Sequence, residues 1–204
     1  MESSATSEES RLNAQLGAMS SAYKIGNKAA VKSMASKLIS NPAATQAHKS
    51  SANFYLGKLA LEKGSYSNAN TYFQQVIKLS DAEQAAESRY QIAYIHYMQR
   101  DLDKAEEQCL SNNNNNSGYP FWAVKSIVLL SDIYVEKNKL YYAKRALEAV
   151  LESIDSDPSI IEEEPDMRIT VQNKLQTVNN RINQTSNLSA PSNGGTMELI
   201  DDEN

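Results

Sequence analysis

The residues of this chain with the chemistry for catalysis or metal binding are few and scattered. His48 and His96 are isolated, and neither belongs to a ligand set with metal-binding spacing. Cys109 is the single cysteine, which rules out an intrachain disulfide and a cysteine-based cluster. Glu162, Glu163, Glu164 and Asp166 gather carboxylates, but no turn glycine or spaced ligand set accompanies them. They read as solvating charge ahead of Pro165. No nucleophile motif, phosphate loop or pair of carboxylates at a strand end is present. No catalytic residue, metal or cofactor is therefore expected, and the chain does not read as an enzyme. Recognition chemistry is better represented. Tyr90, Tyr94 and Tyr97 stand at steps of four and three, which puts three large amphipathic rings on one helical face. Lys24, Lys28 and Lys32 form a basic row at four-residue steps that reads as a solvated face.

The elements that position these residues announce themselves by repetition. Leu56-Gly57, Gly64-Ser65-Tyr66, Ala69, Phe73 and Val76 set a pattern. It returns 36 residues on as Ile92-Ala93, Arg100-Asp101-Leu102, Ala105 and Cys109, and 38 later as Leu130-Ser131, Asn138-Lys139-Leu140, Ala143, Leu147 and Val150. Two amphipathic segments and a short polar break at such a period mark a helical repeat array. A more degenerate first copy carries Leu12, Leu16 and Met19, a break at Ile25-Gly26-Asn27, then Val31, Met34 and Leu38, ending at Asn41-Pro42. The pattern predicts helix pairs over 47–63 and 67–80, 81–99 and 103–110, and 121–137 and 140–154. Small residues at Gly57, Ala93, Ser131, Ala69, Ala105 and Ala143 allow the two helices of a pair to approach closely. Asn112 to Asn116 and Ser117-Gly118-Tyr119-Pro120 read as a solvated loop.

The expected organisation is a frayed N-terminus over 1–9, a repeat domain over 10–154, an acidic linker over 155–165, a capping helix over 166–184 and a disordered acidic tail over 185–204. The capping helix follows Pro165 and carries the stripe Val171, Leu175, Val178 and Ile182. Among 204 residues the net charge is −5, which supplies no basic footprint for nucleic acid. No apolar run approaches the roughly 18 residues needed to cross a bilayer, and direct membrane insertion is not expected. With Met1 as the true start the expected location is cytoplasmic; as a fragment of a longer chain, an envelope or periplasmic location is the alternative.

The order of small residue, tight turn, alanine and aromatic resembles the tetratricopeptide repeat, as in Leu56-Gly57, Gly64-Ser65-Tyr66, Ala69 and Phe73. The family's tryptophan position falls on Asn53, Arg89 and Ile127, so that anchor is missing. The stretch from Tyr119-Pro120-Phe121-Trp122-Ala123 to Asp132-Ile133-Tyr134, followed by Ala143-Lys144, is similar to the C-terminal repeats of long bacterial proteins of this family. The resemblance implies an all-α, right-handed α-solenoid of about four helix-turn-helix repeats with a C-terminal capping helix. It makes Cys109 a buried packing residue. It also implies a concave groove lined by the first helix of each repeat, where Phe54, Lys58, Leu61, Tyr90, Tyr94, Tyr97, Val128 and Asp132 fall. The implied function is a scaffold or adaptor that holds a partner protein, peptide or helix in that groove. The alternative is an assembly component of the bacterial cell envelope, weakly homo-oligomeric through the apolar stripe of the capping helix.

Overall fold

The computed structural model describes residues 2–115 and 118–188. It is all-helical over these residues: α1 (Glu2–Lys24), α2 (Lys28–Ser40), α3 (Gln46–Glu62), α4 (Tyr66–Leu79), α5 (Glu83–Met98), α6 (Leu102–Asn115), α7 (Pro120–Glu136), α8 (Leu140–Ser156), a 3-10 turn (Pro158–Ile161) and α9 (Met167–Leu188). Each helix packs on its successor, as a solenoid requires. Neighbouring first helices, α1 with α3, α3 with α5 and α5 with α7, also touch one another, and second helices do so far less. The first helices therefore form the inner layer of the curve and the second helices the outer one.

Four turns close the helix pairs, and all four use one backbone device. Gly26, Gly64, Arg100 and Asn138 sit in the left-handed region, with φ of 74°, 72°, 64° and 56°. In each, this residue's N–H bonds the carbonyl three positions back, and the next N–H bonds the carbonyl five back. At Gly64 these bonds run to Leu61 at 2.9 Å and from Ser65 to Ala60 at 2.8 Å; at Arg100 they run to Tyr97 and from Asp101 to His96, both at 3.0 Å. This satisfies carbonyls that the ending helix would otherwise leave bare. Glycine enters the conformation without steric cost, asparagine at little, and Arg100 under strain.

The core is a chain of clusters that follows the solenoid. Leu12, Met19, Val31, Ala35 and Leu38 join α1 to α3; Phe54, Ala69, Phe73, Val76, Ala85, Ile92 and Ile95 join α3 to α5; Ala93, Ala105, Cys109, Leu129, Leu130 and Ile133 join α5 to α7. The last cluster packs Leu147, Val150 and Ile154 of α8 against Met167, Val171, Val178 and Ile182 of α9. The stripe on α9 is thus used within the chain. At the α3–α4 crossing the ring of Phe73 lies so close to Gly57 that a Cβ there would stand 2.7 Å from it.

Four expectations change along the array. The N-terminal helix begins at Glu2 and not near residue 10; acidic residues suit the first turns of a helix, and Glu8 pairs with Arg11 at 3.2 Å one turn on. Asn112–Asn115 extend α6 and are not loop. Asn112 is fully buried and donates to Ser126 on α7, so a tertiary contact overrides its weak helix propensity. The segment over 155–165 is packed: Asp157 accepts from the Ser159 N–H at 3.1 Å, and Ile161 is buried with α8 and α9. Helix α9 continues to Leu188; the remainder of the expected tail, 189–204, lies outside the described residues.

Candidate functional site

The eight residues expected in the concave groove are not gathered in one place: four line two separate depressions and four do not. Lys58 and Leu61 of α3 and Tyr94 of α5 line one depression of about 250 Å³ together with Tyr23, Glu62, Tyr66, Gln91 and Met98. Asp132 of α7 lines another, of about 410 Å³, which opens between α7 and α9 over Leu147 of α8. Phe54 is buried at 5% exposure, its ring 6.4 Å from that of Phe73, and so it backs the first depression from within the core. Val128 is half-buried against the α7–α9 cluster.

Lys58 is held in place more firmly than its sequence neighbours suggest. Its ammonium bonds the Glu87 carboxylate across the α3–α5 boundary at 3.1 Å, and it lies 5.1 Å from the Phe54 ring centroid and 5.5 Å from that of Tyr23. Two aromatic faces and one carboxylate fix the charge at the inner surface. Lys125 repeats the arrangement on α7, with the Tyr90, Phe121 and Trp122 rings around it and Glu164 at 2.8 Å.

The three tyrosines of α5 differ from one another. Tyr90 packs on Trp122, with centroids 5.7 Å apart, and stacks with Tyr94 at 6.4 Å. Burial pushes its hydroxyl well above the ordinary tyrosine range, with Tyr94 adding to the effect. Tyr94 turns its other side to the first depression. Tyr97 donates its hydroxyl to Glu136 at 2.7 Å, and Arg100 bonds the other oxygen of that carboxylate at 2.5 Å. Burial and then the bond to Glu136 push Tyr97 up to about 12.

This last arrangement occurs twice. Tyr23 donates to Glu62 at 2.6 Å, and Lys28 bonds the same carboxylate at 2.8 Å. In both copies a tyrosine three residues before the left-handed turn residue clasps a glutamate two residues before the next repeat's turn residue. A cation from the tyrosine's own turn completes it. The bond from Lys28, then that from Tyr23, hold the Glu62 carboxyl below its ordinary range. The basic row anticipated at Lys24, Lys28 and Lys32 does not form one face, since the turn at residues 25–27 separates the first from the others. Between the second and third repeats, Leu61 and Met98 occupy the corresponding positions.

Sequence reasoning missed Tyr23, Glu62 and Met98 as groove residues. The signal was available: Tyr23 and Tyr97 share their distance from Gly26 and Arg100, and Glu62 and Glu136 theirs from Gly64 and Asn138. His48 also had a hidden role. It forms a capping box with Thr45 at the start of α3, and its Nε2 lies 2.9 Å from Asn13 Oδ1 on α1. Cys109 is fully buried with its thiol pushed up to about 12 by burial, as a packing residue is.

No curated protein matches the chain by sequence. Among solved structures, the fold is similar to the crystal structure of BtubC (BKLC) from P. vanneervenii, with a TM-score of 0.64 over all of this chain and 93% of that one, at 14% identity. The family model for the tetratricopeptide repeat-like domain matches residues 2–180. With its turns, its small-residue crossings and this match, the chain belongs to the tetratricopeptide repeat-like domain family.

Proposed function

We propose that the chain is a non-catalytic interaction scaffold that holds a partner polypeptide against the inner face of its first helices. The observation that supports this reading is the depression across α1, α3 and α5, where three successive first helices contribute side chains to one surface. Tyr94 and Leu61 supply partly covered apolar area there, Met98 is 43% exposed, and Lys58 and Gln91 supply polar groups. Aromatic and methionine side chains beside fixed polar groups suit recognition of a peptide or helix.

Photo-crosslinking in the full chain tests it. A benzophenone side chain is placed at Met98, at Gln91 or, as an outer-face reference, at Tyr142, which is 64% exposed. Adducts to a discrete protein are expected from the first two positions and not from the third. Equal adducts at Tyr142, or none at Met98 and Gln91, would overturn the reading.

A further inference from the structure

The outer layer has a recess of its own. Second helices approach one another little, and between α2 and α4 they leave a depression of about 320 Å³ floored by α3. Six of its nine lining residues are polar. Lys32 and Ser36 stand one turn apart on α2, and Asn68 and Tyr72 one turn apart on α4, so each pair shares a helix face. Lys63 and Ser65 flank Gly64, whose left-handed turn, with φ of 72°, brings both to the same rim. Leu56 and Leu59 of α3 supply the apolar floor.

These polar groups are unspent. None of the six side chains has a hydrogen-bond or ion-pair partner among the described residues, and the Ser65 hydroxyl does not cap α4. No carboxylate lines the depression. Glu62, beside Lys63 in sequence, is committed to Lys28 and Tyr23. Lys28, Lys58 and Lys174, which line other depressions, each hold a carboxylate of the chain. Lys32 and Lys63 therefore face one cavity as two uncompensated cations, with three hydroxyls and one amide beside them.

A phosphate monoester matches that set. It carries a charge of about −1.5 to −2 at pH 7 and three strong acceptor oxygens, against one charge and two oxygens for a carboxylate. Two ammonium groups balance the charge, and the ammonium, hydroxyl and amide donors are enough for every oxygen. The volume stands at the small end of small-molecule sites, roughly 300–1,000 Å³, with room for a phosphate and a short carbon stem. We propose that the α2–α4 depression binds a small free phosphate monoester, its phosphate between Lys32 and Lys63 and its stem over Leu56 and Leu59. Such a ligand ties the first repeat to the second from the outer side. This goes beyond the scaffold reading, because the Met98 crosslink and the phosphate site can succeed or fail separately.

Amide NMR spectra of the full chain, titrated with glycerol phosphate at constant ionic strength, test it. Saturable shifts are expected at residues 32–36 and 63–68 with a Kd of about 1 mM or below, and no saturable shifts from glycerol or glycerate. Lys32→Gln with Lys63→Gln should weaken binding by roughly tenfold or more. Lys37→Gln with Lys78→Gln removes the same charge from exposed positions outside the depression and should leave the Kd within about twofold. Circular dichroism checks that both variants keep their helices. Shifts that do not saturate, equal binding of glycerate, or equal weakening by the two double variants would overturn the proposal. So would a phosphoserine pentapeptide that binds roughly tenfold tighter than glycerol phosphate, which would assign the site to a modified partner chain.

Discussion

Gly57→Ala tests the packing logic of the array at its tightest point. A methyl group there would stand 2.7 Å from Phe73 Cε1 and 2.9 Å from Cδ1. Neither atom can retreat freely, because Phe73 is fully buried between α3, α4 and α5. Overpacking of this kind costs about 1–3 kcal/mol. Alanine also returns about 1 kcal/mol of helix propensity relative to glycine. Two of the contacts lie closer than van der Waals packing permits, so the upper half of the steric range applies, and the net loss is about 1–2 kcal/mol. Urea unfolding followed by circular dichroism reads this as a lower midpoint with an unchanged slope. Phe73→Leu alone also destabilises, through the space it leaves. The double variant should cost less than the sum of the two, because the added methyl occupies part of that space. A Gly57→Ala variant as stable as the parent, or strict additivity in the cycle, would refute the claim that this crossing demands glycine.

Further outcomes follow from the turns and the titrating groups. Arg100→Gly removes a left-handed strain of about 1–2 kcal/mol and loses an exposed ion pair to Glu136 worth about 0–1 kcal/mol, so its thermal midpoint should not fall and is expected to rise by a few degrees. Because Tyr97 titrates higher in the folded chain than in the unfolded one, its contribution is fully present below about pH 10 and is lost as the pH rises toward 12. Tyr97→Phe should flatten that alkaline loss in pH-dependent urea titrations. Cys109 should resist a thiol-specific reagent in the native chain at pH 8 and react at full stoichiometry in denaturant; prompt native reaction would contradict its burial.

Much of the fold was legible because its punctuation is local. Gly26, Gly64 and Asn138 can enter the left-handed region cheaply, and each turn is written within a few residues. Helix bounds at α3, α4 and α7 accordingly lie within a residue of the periodicity. Asn112 was misleading because its helical state depends on Ser126, fourteen positions away on another helix. The candidate groove was legible only as a face. That α5 presents Tyr94 toward one depression while Tyr90 packs under Trp122 depends on how α7 leans on α5. No helical periodicity encodes that lean. Nor could Lys58 be assigned to Glu87, twenty-nine positions away, without the approach of α3 to α5.

The alternation of the tyrosine–glutamate clasp divides the array mechanically. Repeats one and two are latched at their turn ends by Tyr23 and Glu62, and repeats three and four by Tyr97 and Glu136. At the boundary between these halves the latch is missing, and the apolar pair Leu61 and Met98 stands in its place. Ser51 to Gln84 and Lys58 to Glu87 bond across this boundary, and both engage the first turns of α5, away from the turn that follows it. Apolar surfaces slide where latched ones resist, so bending should concentrate at this seam, with α5 pivoting about its own start. The recess holding Tyr94 and Met98 lies beside this seam, so its width is the dimension such bending would change.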